Sequence, residues 1–157
     1  MAAAGQNPEQ LWFLDTLVTV HVPHDQGEDG ISVLGRLAPY GESPPLHLHQ
    51  REDELFHVLE GQLRVRVDDA DIRIGAGESI LAPKGVAHTY RVESPDGARW
   101  LVITRGGDFE GFVRAVSRPA AGRGLPPQGP PTPEQGEALA GAARQHGIEF
   151  VGPPLDA

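Results

Sequence analysis

Through the first two thirds of the chain, apolar and polar residues alternate with period two, and helical spacing appears only afterwards. Residues 11–22 form the first candidate strand: Trp12, Leu14, Val18, Val20 and Val22 share a parity, with Asp15, Thr19 and His21 opposite. Residues 31–38 place Ile31, Val33 and Leu37 on one face and Arg36 on the other. Residues 46–49 and 54–59 are strands separated by the charged turn Gln50-Arg51-Glu52-Asp53, which reads as solvated. Residues 63–67 turn Leu63, Val65 and Val67 inward and Arg64 and Arg66 outward, and 72–74, 79–82, 88–92 and 99–104 complete a series of nine short strands. No helical pattern interrupts them, which excludes a parallel α/β sheet and predicts an antiparallel sandwich or barrel. The 20 glycines and 15 prolines agree with a chain of many turns.

After residue 105 the pattern changes. Phe109, Phe112, Val113 and Val116 have helical spacing and predict a short helix after the strands. Residues 119–133 hold six prolines and three glycines and read as an extended linker. Thr132, Pro133 and Gln135 form a helix start, with Thr as N-cap, Pro in the first turn and Gln closing a capping box. That helix should run to about His146 and stop at Gly147, and residues 148–151 suit an edge strand. The apolar face of the helix is small, so it must dock to persist. The predicted organisation is a barrel over 1–118, followed over 119–157 by the linker and a C-terminal helix packed on the barrel or on a partner subunit. A length of 157 residues suits one domain.

Charge and cysteine content narrow the chemistry. The net charge is −9, and no block of Lys or Arg occurs, which argues against a nucleic-acid partner and against an anionic membrane surface. With no cysteine, disulfides, iron–sulfur clusters, thiolate zinc sites and cysteine nucleophiles are excluded. Any metal site must use His and carboxylates. Residues 1–10 carry no basic residue and no apolar run, so they do not read as a signal peptide, and no segment approaches the roughly 18 apolar residues of a membrane span. The expected location is the cytoplasm.

A metal set does stand out. His47 and His49 lie two apart on a strand and so share a face. Glu54 shares parity with Phe56 and Val58, which points it into the core, where a carboxylate is costly unless paired or metal-bound. His88 begins a strand whose inward set is His88, Tyr90 and Val92. Three imidazoles and one carboxylate suit one divalent first-row ion, whether Fe, Mn, Ni, Cu or Zn. Four protein ligands in a six-site shell would leave two positions open, and open positions mean chemistry.

The spacing around these residues carries a resemblance. Gly41, His47, His49, Glu54 and Gly61 match the first cupin motif at each fixed position. Gly77, Pro83, Gly85 and His88 match the second, with Val92 where that motif usually closes on Asn. The run from Arg51 to Gly61, the Trp12-Phe13-Leu14 segment and the stretch from Gly147 to Pro154 resemble single-domain bacterial cupins of the quercetin 2,3-dioxygenase-like group. The resemblance extends over about residues 11–104. It implies an all-β antiparallel barrel of jelly-roll type with a metal at its open end. It places the ligand roles on His47, His49, Glu54 and His88, and it makes Glu54 the base that deprotonates a substrate hydroxyl.

The expected function is a metal-dependent cupin acting on a small organic molecule, first as a quercetinase-like dioxygenase. The alternatives are a non-oxidative isomerase, cyclase or lyase, and a non-catalytic module that binds a small ligand. The resemblance to small cupins implies pairing, and the apolar strand at 11–22 offers an edge for a homodimer. Tyr90, Phe56, Trp100 and Tyr40 are candidates for an aromatic pocket lining as well as for core. His57 has the opposite parity from Glu54 and reads as structural or surface; His21, His24 and His146 carry no site argument. Arg36 reads as a surface residue, with anion orientation as its other role.

Overall fold

A computed structural model describes residues 7–157. Twelve strands and two helices follow in the order β1 (Glu9–Phe13), β2 (Thr16–Val22), β3 (Ile31–Ala38), β4 (Leu46–His49), β5 (Glu54–Glu60), β6 (Gln62–Val67), β7 (Ala70–Gly75), β8 (Ser79–Ala82), β9 (His88–Val92), β10 (Ala98–Arg105), α1 (Asp108–Val116), β11 (Arg118–Pro119), α2 (Pro133–Gln145) and β12 (Ile148–Gly152). One sheet runs β11-β1-β2-β3-β10-β5-β8 and the other β12-β4-β9-β6-β7. The pairings are antiparallel, and the sheets enclose one core that includes Val18, Leu34, Phe56, Val58, Leu63, Val65, Val92 and Trp100. This is the jelly-roll cupin architecture with a helix after the barrel and another near the C-terminus.

Most strands present the expected face. Glu54, Phe56 and Val58 are buried along β5, and Leu63 and Val65 along β6. The β5–β6 turn needs glycine: Gly61 has φ +83°, and a Cβ there would sit 2.6 Å from the Gly97 carbonyl oxygen.

Two expectations are corrected. Residues 11–22 are not one strand but the hairpin β1–β2, turning at Leu14, which has φ +53°. Leu11 and Phe13 are buried on β1, while Trp12 is half-buried and Leu14 exposed. Leu17 and Val18 are adjacent and both buried, so a single alternation cannot cross the turn. The turn is held by residues of the later linker: Gln128 Nε2 donates to the Asp15 carbonyl, and the Gly129 amide donates to Asp15 Oδ1. The outer edge of β1 is paired within the chain, Leu11 with Pro119 and Trp12 with Arg118, so it is not the free edge that the homodimer argument used.

On β3 the inward face is the reverse of the one expected. Ser32, Leu34, Arg36 and Ala38 are buried, whereas Ile31 is exposed and Val33 and Leu37 half-buried. Period-two alternation fixes which residues share a face, not which face turns inward, and apolar residues lie on both.

Helix α2 begins as expected, with both halves of the capping box formed between Thr132 and Gln135. It packs on α1 and β12. Strand β12 lies at the edge of its sheet, pairing Ile148 with His49 and Phe150 with His47. Among the described residues no helix is long and apolar enough to cross a membrane.

Candidate metal centre

Four side chains from three strands meet inside the barrel. His47 and His49 face inward from β4, Glu54 opens β5, and His88 opens β9 directly across the ladder from His47. One ligand atom from each lies within 4.8 Å of all the others, and all four residues are buried. Glu54 Oε2 is 2.8 Å from His88 Nε2 and 3.0 Å from His49 Nε2. The rings of His47 and His88 are 4.5 Å apart between centroids, and those of His49 and His88 5.2 Å.

The outward nitrogens are set by the surrounding chain. His47 Nδ1 donates to the Pro45 carbonyl at 2.7 Å, and His88 Nδ1 to the Val86 carbonyl at 3.2 Å. Each bond fixes its ring so that Nε2 points into the cluster, where that of His88 is hydrogen-bonded to Glu54 Oε2. Phe56 and Phe109 pack against the imidazoles of His88 and His49, and Phe150 meets His47 edge-on.

Burial and charge divide the protons. Burial pushes His47 down to about 3, helped by its neighbour His88, so its imidazole is neutral. Burial would also lower His49, but the Glu54 and Glu52 carboxylates outweigh it and hold that imidazole up at about 9. Burial would raise Glu54, yet His49 and His88 hold its carboxyl well below the usual range. A His49 cation and a Glu54 anion therefore share the interior.

The donor set fits a divalent metal. His49 Nε2 is buried and close to Glu54 Oε2 but is not aligned to hydrogen-bond with it, an orphaned polar atom facing three other ligand atoms. Three imidazole nitrogens and a carboxylate oxygen are the donors that first-row divalent ions prefer, and such an ion displaces protons from the nitrogens it binds. The cluster could thus hold a metal ion.

Other candidates fall into place around it. His57 is half-exposed on the outer face of β5, bonded to Ser79, away from the cluster. Phe56 and Tyr90 lie inside the barrel with Trp100, but Tyr40 is exposed, its ring under the Arg91 guanidinium, and lines no interior pocket. His24 contacts the buried Glu110 carboxylate of α1.

Two residues that the sequence reading placed at the surface are buried. Arg36 is inside, not on the surface: its Nη2 donates to Thr16 Oγ1 and Tyr90 Oη, and its guanidinium lies over the Phe13 and Trp100 rings. Glu52 is 2% exposed, not solvated, and its Oε1 accepts from the Phe109 amide at the start of α1. Only the tertiary fold brings Glu52 and Phe109, 57 positions apart, together. No local signal in the charged turn marks this contact.

Comparison with known proteins agrees with this geometry. The Cupin domain family model matches residues 33–104, which include all four cluster residues. Quercetin 2,3-dioxygenase of Bacillus subtilis is 29% identical over 94 residues, 60% of this chain and 28% of that protein, so the match spans little more than a quarter of the relative's length. Among solved structures, the polyketide cyclase RemF from Streptomyces resistomycificus superposes with a TM-score of 0.57 at 20% identity, covering 67% of this chain and 79% of that one. A predicted oxalate decarboxylase from Thermotoga maritima gives 0.56 at 18% identity, covering 65% and 94%. At these identities the structural likenesses speak for the fold alone.

Proposed function

The chain is a member of the cupin superfamily, and on that premise we propose that it is a metal-dependent enzyme acting on a small organic molecule, of the quercetinase-like dioxygenase kind. The observation that carries the reading is the convergence of His47, His49, Glu54 and His88 on one buried volume. These four residues would hold a single divalent ion. When bound, such an ion supplies Lewis acidity and, where it is redox-active, a path for electrons between substrate and dioxygen.

The chain's own residues do the rest. Glu54 accepts the acidic proton of a substrate hydroxyl at Oε2, the oxygen that already faces two imidazoles. His47 and His88 keep fixed orientations through their backbone carbonyl partners, which holds the cluster in place without rearrangement. Phe56, Phe109 and Phe150 surround the imidazoles with apolar rings and limit water around the reacting groups. The setting that goes with this reading is a cytoplasmic homodimer. The dimer would use a surface other than the β1 edge, and light scattering at micromolar concentration tests it.

The deciding experiment is metal analysis of protein purified without chelator. It is followed by oxygen-uptake assays with quercetin and simple catechols, after reconstitution with Fe, Mn, Ni, Cu or Zn. Metal-dependent oxygen uptake supports the dioxygenase. Turnover without oxygen replaces it with a cyclase, isomerase or lyase, and binding without turnover replaces it with a ligand-binding cupin.

A further inference from the structure

The three imidazoles of the cluster are not held alike. His47 and His88 each give the Nδ1 proton to the backbone carbonyl two residues upstream. The Nδ1 of His49 is buried and has no hydrogen-bond partner. The acceptor facing it is a side chain, Glu52 Oε1, at 3.8 Å. Glu52 has an orphan of its own, since its Oε2 is buried and unpartnered as well. A buried imidazole nitrogen and a buried carboxylate with a free oxygen thus belong to neighbouring side chains, and a buried polar group left unmet is costly.

Arg51, next to Glu52 in the chain, turns away to a bidentate pair with Asp108. The other partner of Glu52 is the Phe109 amide, at 2.6 Å, in the first turn of α1. The carboxylate therefore bridges a helix start and an imidazole. The Phe109 ring, 5.6 Å from the His49 ring, packs against the same imidazole.

We infer that Glu52 is a positioning residue for His49: its carboxylate accepts a hydrogen bond from Nδ1–H and so keeps Nε2, the nitrogen facing Glu54, open to an ion. The inference rests on the metal reading proposed above. A carboxylate behind a ligating imidazole fixes the tautomer and raises its basicity, and losing such a partner typically costs about 10–100-fold in metal affinity. Glu52 also ties His49 to the seating of α1, which two backbone carbonyls cannot do for the other imidazoles.

The test uses the full chain and zinc as the probe. Zinc affinity is measured by chelator competition for wild type, Glu52→Gln, His49→Ala and the double variant. Glu52→Gln, whose amide oxygen can still accept from Phe109, should weaken zinc binding by about 10–100-fold. In the His49→Ala background the same change should have less than about a twofold effect, because its target is gone. Long-range proton–nitrogen NMR of the zinc-loaded wild type should show a slowly exchanging Nδ1–H on His49, a readout that needs no variant to fold. Absence of that proton overturns the inference. So does a Glu52→Gln protein that melts earlier yet binds zinc as wild type does, for then Glu52 only caps α1. Wild-type protein without zinc affinity would sink the metal reading and this inference together, whereas failure confined to Glu52→Gln leaves the metal reading standing.

Discussion

Along β9, His88 and Tyr90 face the same interior two residues apart, yet each belongs to a different buried polar set, and the Phe56 ring lies against both. The set around Tyr90 contains its own permanent cation. Arg36 donates to Tyr90 and Thr16, is stacked on Phe13 and Trp100, and attracts the Glu42 carboxylate, which burial pushes up. A guanidinium does not release its proton in a protein, so this set keeps its positive charge with or without an ion. The set around His88 has no Lys or Arg among its members; its basic groups are imidazoles, which release protons and can bind a metal ion instead. Buried polar groups alone therefore do not signal a metal. An excess of lone pairs without a fixed cation does.

The sharpest way to break this contrast is at Glu54. Glu54→Gln should lower turnover by about 10²–10⁴ while losing less metal than His49→Ala, because three imidazoles and an amide oxygen remain. Metal per chain, measured beside turnover for both variants, decides it; a metal-loaded and fully active Glu54→Gln protein would remove Glu54 from the chemistry. Arg36→Met attacks the other set. It strips Tyr90 and Thr16 of their donor and leaves Glu42 without its cation, at a cost of about 3 kcal/mol in denaturant unfolding, with zinc affinity unchanged. If it weakened zinc binding instead, the two sets would be one.

Ion addition should distinguish the sets in the opposite sense. Zinc at 100 times its dissociation constant should stabilise the wild type by about 2.7 kcal/mol. It should leave the His49→Ala protein much less stabilised at the same concentration, as read by thermal unfolding.

The smallest expected effect lies outside both sets, at Glu110. This carboxylate is held below its ordinary value of 4.5: burial opposes ionisation, but bonds from His24, Ser32 and Arg114 outweigh it. Its contribution is complete above that value and is lost as pH falls through the depressed one. Glu110→Gln should therefore cost about 1 kcal/mol near neutrality and flatten the acid limb of the stability profile. An unchanged acid limb would show that the ionised Glu110 adds no stability.

Much of the cluster was legible in the sequence because its logic is local. His47 and His49 share a face by strand periodicity alone, and Glu54 inherits its inward direction from Phe56 and Val58. What escaped depends on contacts made far along the chain. Glu52 sits in a turn whose composition says solvent, and only the return of α1 over that turn buries it. Arg36 lies on a strand with apolar residues on both faces, so alternation could not choose between them. The Leu14 turn carries neither Gly nor Asn, and it is fixed partly by the Gln128 and Gly129 contacts to Asp15.

The pairing of β12 with β4 bears on how the protein is made. The strand that carries His47 and His49 is flanked by β9 on one side and by residues 148–152 on the other, a hundred positions later in the chain. During synthesis the barrel strands emerge first, and β4 stays an open edge until residues 148–152 clear the ribosome. Long-range pairing of this kind is also slow relative to local hairpins such as β6–β7. A nascent chain stalled before Ile148 would thus present two inward histidines on an unprotected strand. Quality control acting on such a species would meet a barrel largely formed, with the strand of His47 and His49 still uncovered.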